Sequence, residues 1–453
     1  MGIASQKNMF QKIKKRIPQP IFNLYHLLLA LLGNVVYFFP SRKMKVIGVT
    51  GTKGKTTTAY LLYQILKNTG HNTALVSTTF FALGEKIIPN LTKMGMPGRF
   101  FLPQFLRKAL RRKIKYAVIE TTSEGILQHR QRFLSYDAAV FTSLSPEHIE
   151  RHGSFENYRK AKEKLFRQCE NIHVLNLNDK KVRYFLSCPA KQKWGVSLDS
   201  TNWRRNPHLG IRYAIEGHSQ PDAGKVNIQE WIVKRGNKKE LAMQFGIKTP
   251  FLGKFNIRNF LLAFAAARSL EVPFTDILTT IDGLALPPGR LAELNDTGAK
   301  FRIFLDYAHE PLSLRSVLET CREMLPKDKK LICLTGAQGG GRDKWKRHVM
   351  GLVAAKYSDY VIVGTEDPYD EDPGKINDEV FKGVLEKKGF EEGINCFKFI
   401  SRREAIHKAI SLACPGDTVI LCGKGGEKYM CIGNKKIPWD EEKEVRKILK
   451  LKM

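Results

Sequence analysis

An α/β fold built on mostly parallel sheets, in two successive domains, is what this 453-residue sequence predicts. Three observations predict it. The apolar run Val46, Ile47, Val49 leads into a glycine-spaced turn and then into Ala59–Leu66, which has helical character. Short apolar runs then alternate with segments of helical spacing, the pattern of a parallel sheet with helices on both faces. After Leu286-Pro287-Pro288-Gly289 the same alternation begins again. The expectation is a phosphate-loop-type central sheet domain over 45–286 and a Rossmann-like α/β domain over 287–453. A short basic and apolar helical segment, 1–44, precedes both.

In the first segment Lys7, Lys12, Lys14, Lys15 and Arg16 crowd the start, and no Asp or Glu occurs before Glu85. Residues 21–40 are apolar for about the length that crosses a bilayer, but Asn23, His26, Gly33 and Asn34 interrupt them. A basic lead before an apolar run also describes a signal peptide; no small-residue cleavage site follows. The favoured expectations are a membrane-surface helix or hairpin, or a helix packed on the next domain.

The central domain should hold strands at Lys45–Val49, Thr73–Ser77, Tyr116–Glu120, Ala138–Thr142 and His173–Asn176, with helices at Thr57–Asn68, Leu102–Arg112 and Phe155–Gln168. Residues 196–250 are short, polar and glycine-punctuated, with strand-like Ile228–Val233, and suggest an antiparallel annex to the same domain. Phe255–Ser269 has helical spacing and should return the chain to the sheet. In the second domain strands are expected at Phe301–Asp306, Leu331–Thr335, Tyr360–Val363, Cys396–Ile400 and Thr418–Cys422.

Apolar residues make up 43% and charged residues 26%, an ordinary globular composition. The formal charge of +31 is not ordinary. It suits nucleic acid, an anionic membrane or polyanionic substrates, or it reflects a lysine-rich background. Aromatic-basic stacking platforms and helicase-type motifs are not evident, so nucleic acid is not expected as a partner. The eight cysteines are scattered without a Cys-x-x-Cys pair, which fits a reducing cytosol and a cytoplasmic chain.

The chemistry starts at Gly51-Thr52-Lys53-Gly54-Lys55-Thr56-Thr57. A strand, a glycine turn and a helix N-terminus aim backbone N–H groups and the positive end of the helix dipole at one point, which favours phosphate. Lys55 would reach the outer phosphates, and the Thr56 hydroxyl would sit on magnesium. The strict nucleotide-loop pattern wants glycine where Val49 stands. Glu120 ends an apolar strand, so it should face the crevice beyond the strand ends, where a carboxylate can hold a hard cation.

Three further blocks extend the pattern: Glu120-Thr121-Thr122-Ser123-Glu124-Gly125 running to Gln128 and Arg130, then Ser145-Pro146-Glu147-His148, then Tyr158-Arg159-Lys160-Ala161-Lys162. Together with the loop they resemble the Mur ligase family, and most closely its UDP-N-acetylmuramoyl-tripeptide synthetases. The resemblance covers roughly 45–453. It implies an ATP-dependent ligase that activates a carboxylate as an acyl phosphate, which an amine then displaces. The implied substrates are a UDP-muramyl-peptide and an amino acid, the implied pathway peptidoglycan precursor synthesis.

Residue by residue, the resemblance implies ATP binding by Gly51, Thr52, Lys53, Gly54, Lys55, Thr56, Thr57, Asn259, Arg290 and Asp306. It implies magnesium at Thr56, Glu120 and His148, with Lys162 carried as a carbamate bridging to a second metal. Lys55, Lys162, His148 and Glu120 are the implied catalytic set. Thr122, Gln128 and Arg130 match residues that hold the muramyl peptide. Asp367, Tyr369, Gly423 and Glu427 fall where the amino-acid pocket is built. Gly339–Arg347 looks like the glycine-rich loop of the ligase domain.

The chain departs from the family in three places. Thr122-Ser123-Glu124-Gly125 stands for Ser-Ser-His-Gly, Asn90–Pro97 stands for the Thr-Thr-Pro segment, and only about 45 residues precede the loop where the family usually has a uridine-binding domain. A lipid-linked or polymeric carboxylate is therefore the alternative acceptor, and a nucleic-acid-stimulated ATPase the alternative of another class. Where family members that add meso-diaminopimelate have Asp-Asn-Pro-Arg, this chain has Glu366-Asp367-Pro368-Tyr369, followed by Asp370, Glu371 and Asp372. Without an arginine clamp for a second carboxylate, lysine or a similar diamino acid is the expected substrate, unless Arg402 or Arg403 supplies that clamp. Residues 1–40 are expected to touch anionic membrane.

Overall fold

The computed structural model describes residues 19–90, 92, 94–147, 149–205, 209–219, 225–341 and 344–450. It divides into two compact units, one of residues up to 250 with 258–284, the other of 251–257 with 285 onward. The basic cluster ahead of residue 19, Leu91, Lys93, His148, Arg342 and Asp343 lie outside the described residues.

The first unit opens with α1 (Gln19–Val36). Its inward residues His26, Ala30 and Asn34 are buried, and Gly33 lets the helix approach the Arg99 carbonyl so closely that a Cβ would stand 2.9 Å from it. The apolar segment is thus a helix packed on its neighbouring domain, and no described helix is long and apolar enough to cross a membrane. Its outer face keeps Ile21, Leu24, Tyr25, Leu28, Leu32 and Val35 exposed.

Beyond it run β1 (Lys45–Thr50), α2 (Lys55–Asn68), β2 (Thr73–Val76), β3 (Phe80–Leu83), β4 (Lys86–Pro89), α3 (Phe101–Arg111), β5 (Tyr116–Glu120), α4 (Ser123–Leu127), β6 (Ala138–Phe141), α5 (Phe155–Gln168) and β7 (Ile172–Asn176). Then come β8 (Gln192–Leu198), β9 (Tyr213–Ser219), β10 (Lys225–Val233), β11 (Lys239–Lys248) and α6 (Lys254–Ser269). All eleven strands form one sheet in the order β11-β10-β9-β8-β7-β6-β1-β5-β2-β3-β4. The strands from β2 through β9 in that order pair in parallel, and hairpins close both edges. The central strands are mostly apolar and almost wholly buried, as a parallel sheet covered on both faces requires.

Several details differ from the sequence expectation, among them residues 251–257, which fall in the second unit, and a hairpin of Tyr429–Ile432 with Lys435–Pro438, which was not foreseen. The annex is only partly antiparallel, because β9 joins β8 in parallel and the reversal begins at β10. The β3–β4 hairpin was not foreseen, since its strands of four residues carry too little alternation to register as a pattern.

The second unit has β12 (Ala292–Glu293), β13 (Arg302–Asp306), α7 (Pro311–Met324), β14 (Leu331–Thr335), α8 (Trp345–Tyr357), β15 (Tyr360–Gly364), α9 (Pro373–Leu385), β16 (Cys396–Phe399), α10 (Arg402–Leu412) and β17 (Thr418–Cys422). A hairpin, β18 (Tyr429–Ile432) and β19 (Lys435–Pro438), and α11 (Glu441–Lys450) complete it. The sheet order is β12-β13-β17-β14-β15-β16, parallel apart from β12. Each face buries its own core. One centres on Phe304, Leu318, Met350 and Val380, the other on Ile332, Ile362, Ile406 and Ile448. This is the expected doubly covered α/β architecture, and it leaves the carboxyl ends of the strands free to carry side chains of a site.

Candidate active site

In the first unit the site grows from the turn between β1 and α2. Gly54 holds the left-handed conformation (φ 85°) at the head of α2, and a Cβ there would stand 2.4 Å from the Asn259 amide oxygen. Glycine is therefore required both by the backbone and by the approach of Asn259. The loop is braced from β6: Thr52 N–H donates to the Ser143 carbonyl (2.7 Å) and Thr142 Oγ1 donates to the Lys53 carbonyl (2.5 Å). Thr52 Oγ1 bonds the Tyr158 hydroxyl at 3.0 Å. Lys53 reaches out of the loop to Glu147 (2.9 Å).

Lys55 Nζ folds back onto the loop and donates to the carbonyls of Gly51 (3.0 Å) and Thr52 (2.9 Å). Lys162, on α5, sends its Nζ to the same Gly51 carbonyl at 2.6 Å. Lys162 is buried, and burial, followed by the neighbouring Lys55 charge, holds its amine well below the usual lysine range. Thr56 Oγ1 donates to Glu120 Oε2 at 3.0 Å, and the same oxygen accepts the Thr78 N–H at 2.8 Å. Thr57 is buried in the first turn of α2. The loop, Glu120, Lys162 and Asn259 are thus brought together.

A hydroxyl and a carboxylate on neighbouring hard oxygens suit magnesium, so Thr56 and Glu120 fit that ion. Lys162 as a free amine does not supply an anionic ligand.

Thr122 caps α4, its hydroxyl accepting the Gly125 N–H at 3.2 Å. Gln128 Oε1 accepts from Arg130 (2.7 Å) and also from Arg99 (3.1 Å). Burial lowers the pKa of both guanidiniums, and for Arg130 the charge of Arg99 adds to the effect. Each keeps a buried Nε–H without a partner. Two cations converging on one amide oxygen form an anion-ready corner. Sequence reasoning missed Arg99 because it follows Gly98 in a loop with no motif around it.

The second unit gathers charge differently. Lys424 is fully buried and donates to Asp367 (2.8 Å), Glu427 (2.6 Å) and the Tyr429 carbonyl (2.8 Å). The neighbouring Glu366 is buried too; its Oε1 accepts from Gln338 (2.7 Å), while Oε2, beside Gly423, has no hydrogen-bond partner. Burial, and next to it the Asp367 charge, push the Glu366 carboxyl up to about 7. Tyr369 takes a left-handed backbone (φ 53°) and lays its ring against Gly340. Arg402 is locked on the buried Glu441 and the Cys422 carbonyl, and Arg403 pairs with Glu444, so neither is placed as a carboxylate clamp.

Asp306 has both oxygens engaged, by the N–H groups of Leu291 (2.6 Å) and Ala308 (2.7 Å). Burial raises it to about 6 against the pull of Arg290, whose guanidinium lies over the Tyr307 ring. Lys346 is buried on Glu310, and Arg347 on Glu371 and Glu379. The framework role of Lys424 was hidden in the sequence, where it is one lysine in a glycine turn.

A phosphate loop whose lysine and threonine stand beside a buried carboxylate and a second, buried lysine is the apparatus of a nucleotide-using enzyme. The chain belongs to the Mur ligase family: residues 49–267 match the Mur ligase middle domain and residues 289–425 the Mur ligase, glutamate ligase domain. It is 33% identical over 423 residues to the UDP-N-acetylmuramoyl-L-alanyl-D-glutamate–2,6-diaminopimelate ligase of Caldanaerobacter subterraneus subsp. tengcongensis, covering 93% of this chain and 81% of that one. It is 31% identical over 428 residues to the ligase of the same name from Listeria innocua, with 94% and 82% covered. A solved structure of a ligase of that name aligns over 90% of this chain and 79% of its own, at TM-score 0.57 and 27% identity. The folylpolyglutamate synthase of Mycobacterium tuberculosis shares the fold, at TM-score 0.64 and 14% identity, over 88% and 92% of the two chains.

Proposed function

We propose that this Mur-family ligase uses ATP to join an amino acid to the terminal carboxylate of a UDP-muramoyl dipeptide in cytoplasmic peptidoglycan synthesis. The observation that carries the reading is the convergence of Lys55 and Lys162 on the Gly51 carbonyl beside the Thr56–Glu120 pair. A carboxylate is a poor electrophile. Transfer of the γ-phosphoryl group makes an acyl phosphate, and the amine displaces phosphate. The protein's part is positioning and charge neutralisation. Lys55 exchanges its carbonyl partners for phosphate oxygens, and the backbone N–H groups at the head of α2 do the same work. A magnesium ion held by Thr56 and Glu120 would supply further neutralisation of phosphate charge. Arg99, Arg130 and Gln128 would hold an anionic part of the muramoyl peptide.

Lys162 is proposed to work as a carbamate. Burial disfavours the protonated form of this amine, which helps its nitrogen attack carbon dioxide, forming an N–C bond and releasing a proton to water. The product is the anionic metal ligand that the free amine is not. Lys162→Ala should lose activity about a hundredfold or more and recover part of it with added short-chain carboxylic acids. Full activity without such additives overturns this role.

For the incoming amino acid, Glu366 offers a buried oxygen without a partner, Lys424 is shared between Asp367 and Glu427, and Tyr369 carries no charge. These features favour a side chain ending in an amine and no second carboxylate, as in lysine. The relatives' names specify diaminopimelate. ADP release with UDP-muramoyl dipeptide against a panel of amino acids, with mass spectrometry of the products, tests both parts. No amide product with any amino acid defeats the ligase reading, and a higher kcat/KM for diaminopimelate defeats the lysine one.

The exposed apolar face of α1, together with the basic residues ahead of it, supports peripheral contact of residues 1–40 with anionic membrane. The same face favours a lipid-linked carboxylate as a second acceptor. The parent chain should float with anionic liposomes and a Leu24→Glu, Leu28→Glu variant should not; no flotation of the parent would remove both ideas, and unchanged flotation of the variant would remove the role of the α1 face.

A further inference from the structure

The carboxyl ends of three neighbouring strands, β17, β14 and β15, carry the turns that meet at Glu366. Glu366 follows β15, Gln338 follows β14 and Gly423 follows β17. Bare backbone draws the first two turns together. A Cβ on Gly336 would collide with the Gly364 carbonyl, and one on Gly339 with the Pro368 carbonyl. Gly339 N–H donates to the Asp367 carbonyl at 2.9 Å. The Gln338 carbonyl accepts from Arg347 (3.3 Å), which is itself fixed on Glu371 and Glu379. So held, the buried Gln338 side chain donates its amide N–H to Glu366 Oε1 at 2.7 Å. The other oxygen, Oε2, is left facing the third turn. Gly423 has φ 107°, and a Cβ there would stand 2.8 Å from Oε2, so only glycine leaves room in front of that oxygen. Among the described residues no cation bonds Oε2. Lys424 is engaged by Asp367 and Glu427, Lys346 by Glu310, and Arg402 by Glu441. A wholly buried carboxylate oxygen without a partner is stabilised by a cation that brings its own N–H donors.

We propose that Gln338 is a positioning residue of the amino-acid pocket: by holding one oxygen of Glu366 it turns the other toward the side-chain ammonium group of the incoming amino acid, and so makes the pocket select that group. The inference rests on the reading of Glu366 as the amine's partner. The residue type at 338 matters. A lysine or arginine there would neutralise Glu366, and an acid would repel it. A neutral amide fixes the carboxylate and leaves its charge for the ligand. Because the amide N–H only donates, the oxygen it holds is not the one that carries a proton. The proton that burial favours on this carboxyl therefore sits on Oε2 and leaves to water as the ammonium arrives.

Calorimetric titration of the full-length chain, with magnesium and a non-hydrolysable ATP analogue present, separates binding from turnover. The probes are L-lysine and L-norleucine, which lacks only the terminal amine. The parent should bind lysine about a hundredfold more tightly than norleucine. Gln338→Met keeps the length of the side chain and removes the donor. It should narrow that gap to about tenfold or less by weakening lysine, and leave norleucine binding where it was. Gln338→Asn keeps an amide but withdraws it from Glu366, and should do the same, so the test stands even if the methionine packs badly. A parent that binds the two amino acids alike overturns the proposal. So does a gap that both substitutions leave intact, or an equal loss of affinity for lysine and norleucine. Selective binding that these substitutions erase supports it even where no amide product forms, an outcome that counts against the ligase reading alone.

Discussion

The turn between β1 and α2 in the first unit and the acidic pocket of the second both hold buried or half-buried basic side chains, yet they hold them by different means. Lys55 and Lys162 rest on the carbonyl dipoles of Gly51 and Thr52, which are partial charges. Lys424, Lys346 and Arg402 rest on full carboxylates, Asp367 and Glu427, Glu310, and Glu441. Lys55, as a cation held only by dipoles, would give them up readily when a phosphate arrives with real negative charge. A buried cation fixed on a carboxylate stays where it is, because breaking a desolvated pair leaves an uncompensated charge behind. The first arrangement is poised for exchange, and the second is a frame around whatever binds.

Breaking the exchangeable side should have the largest effect. Lys55→Ala should lower kcat for ADP release about a thousandfold with little change in melting temperature, since the loop keeps its braces from β6. A large loss of Tm with kcat preserved would mean that Lys55 is framework after all. Breaking the frame should do the reverse: Lys424→Met leaves Asp367 and Glu427 facing each other in the interior and should cost about 3 kcal/mol in denaturant unfolding. An unchanged midpoint would show that the pocket is wetter than its burial implies.

A smaller effect sharpens the comparison through pH. Glu366 ionises near 7 in the folded chain against about 4.5 ordinarily, so the native state binds the extra proton between those values. Above the lower value the unfolded chain ionises first, so this group lowers stability progressively from about pH 4.5 to 7, and the penalty persists beyond. Glu366→Gln removes it. The variant should match the parent near pH 4.5 and exceed it by about 3 kcal/mol above pH 7. Parallel stability curves would mean that an amine or cation already neutralises Glu366. The smallest effect belongs to the pair of partly exposed Lys53 and buried Glu147. Lys53→Met should shift stability by no more than about 1 kcal/mol and weaken with salt.

Much of this was legible because it is local. Strand β1, its glycine turn and α2 lie within two dozen residues, and Thr56 and Lys55 are fixed by their places in that turn. The apolar strands β5, β6, β14 and β17 stood out because a strand buried on both faces must be apolar at every position. The β3–β4 hairpin was lost because four-residue strands carry little pattern, and Arg99 because a loop arginine announces nothing. Segment 19–36 was legible as an interrupted apolar run, but the choice of a packed helix rested on the close approach of Gly33 to the Arg99 backbone and the burial of His26, Ala30 and Asn34.

By itself, then, the sequence determined the fold class and the strand, glycine turn and helix around Gly51–Thr57, since each follows from the spacing of near neighbours along the chain. Only the tertiary structure decided which charges meet. Lys162 reaches a carbonyl 111 positions away, Arg402 a glutamate 39 positions on, and Lys424 an aspartate 57 positions back. No periodicity encodes those encounters, because a buried charge finds its partner through the packing of whole elements.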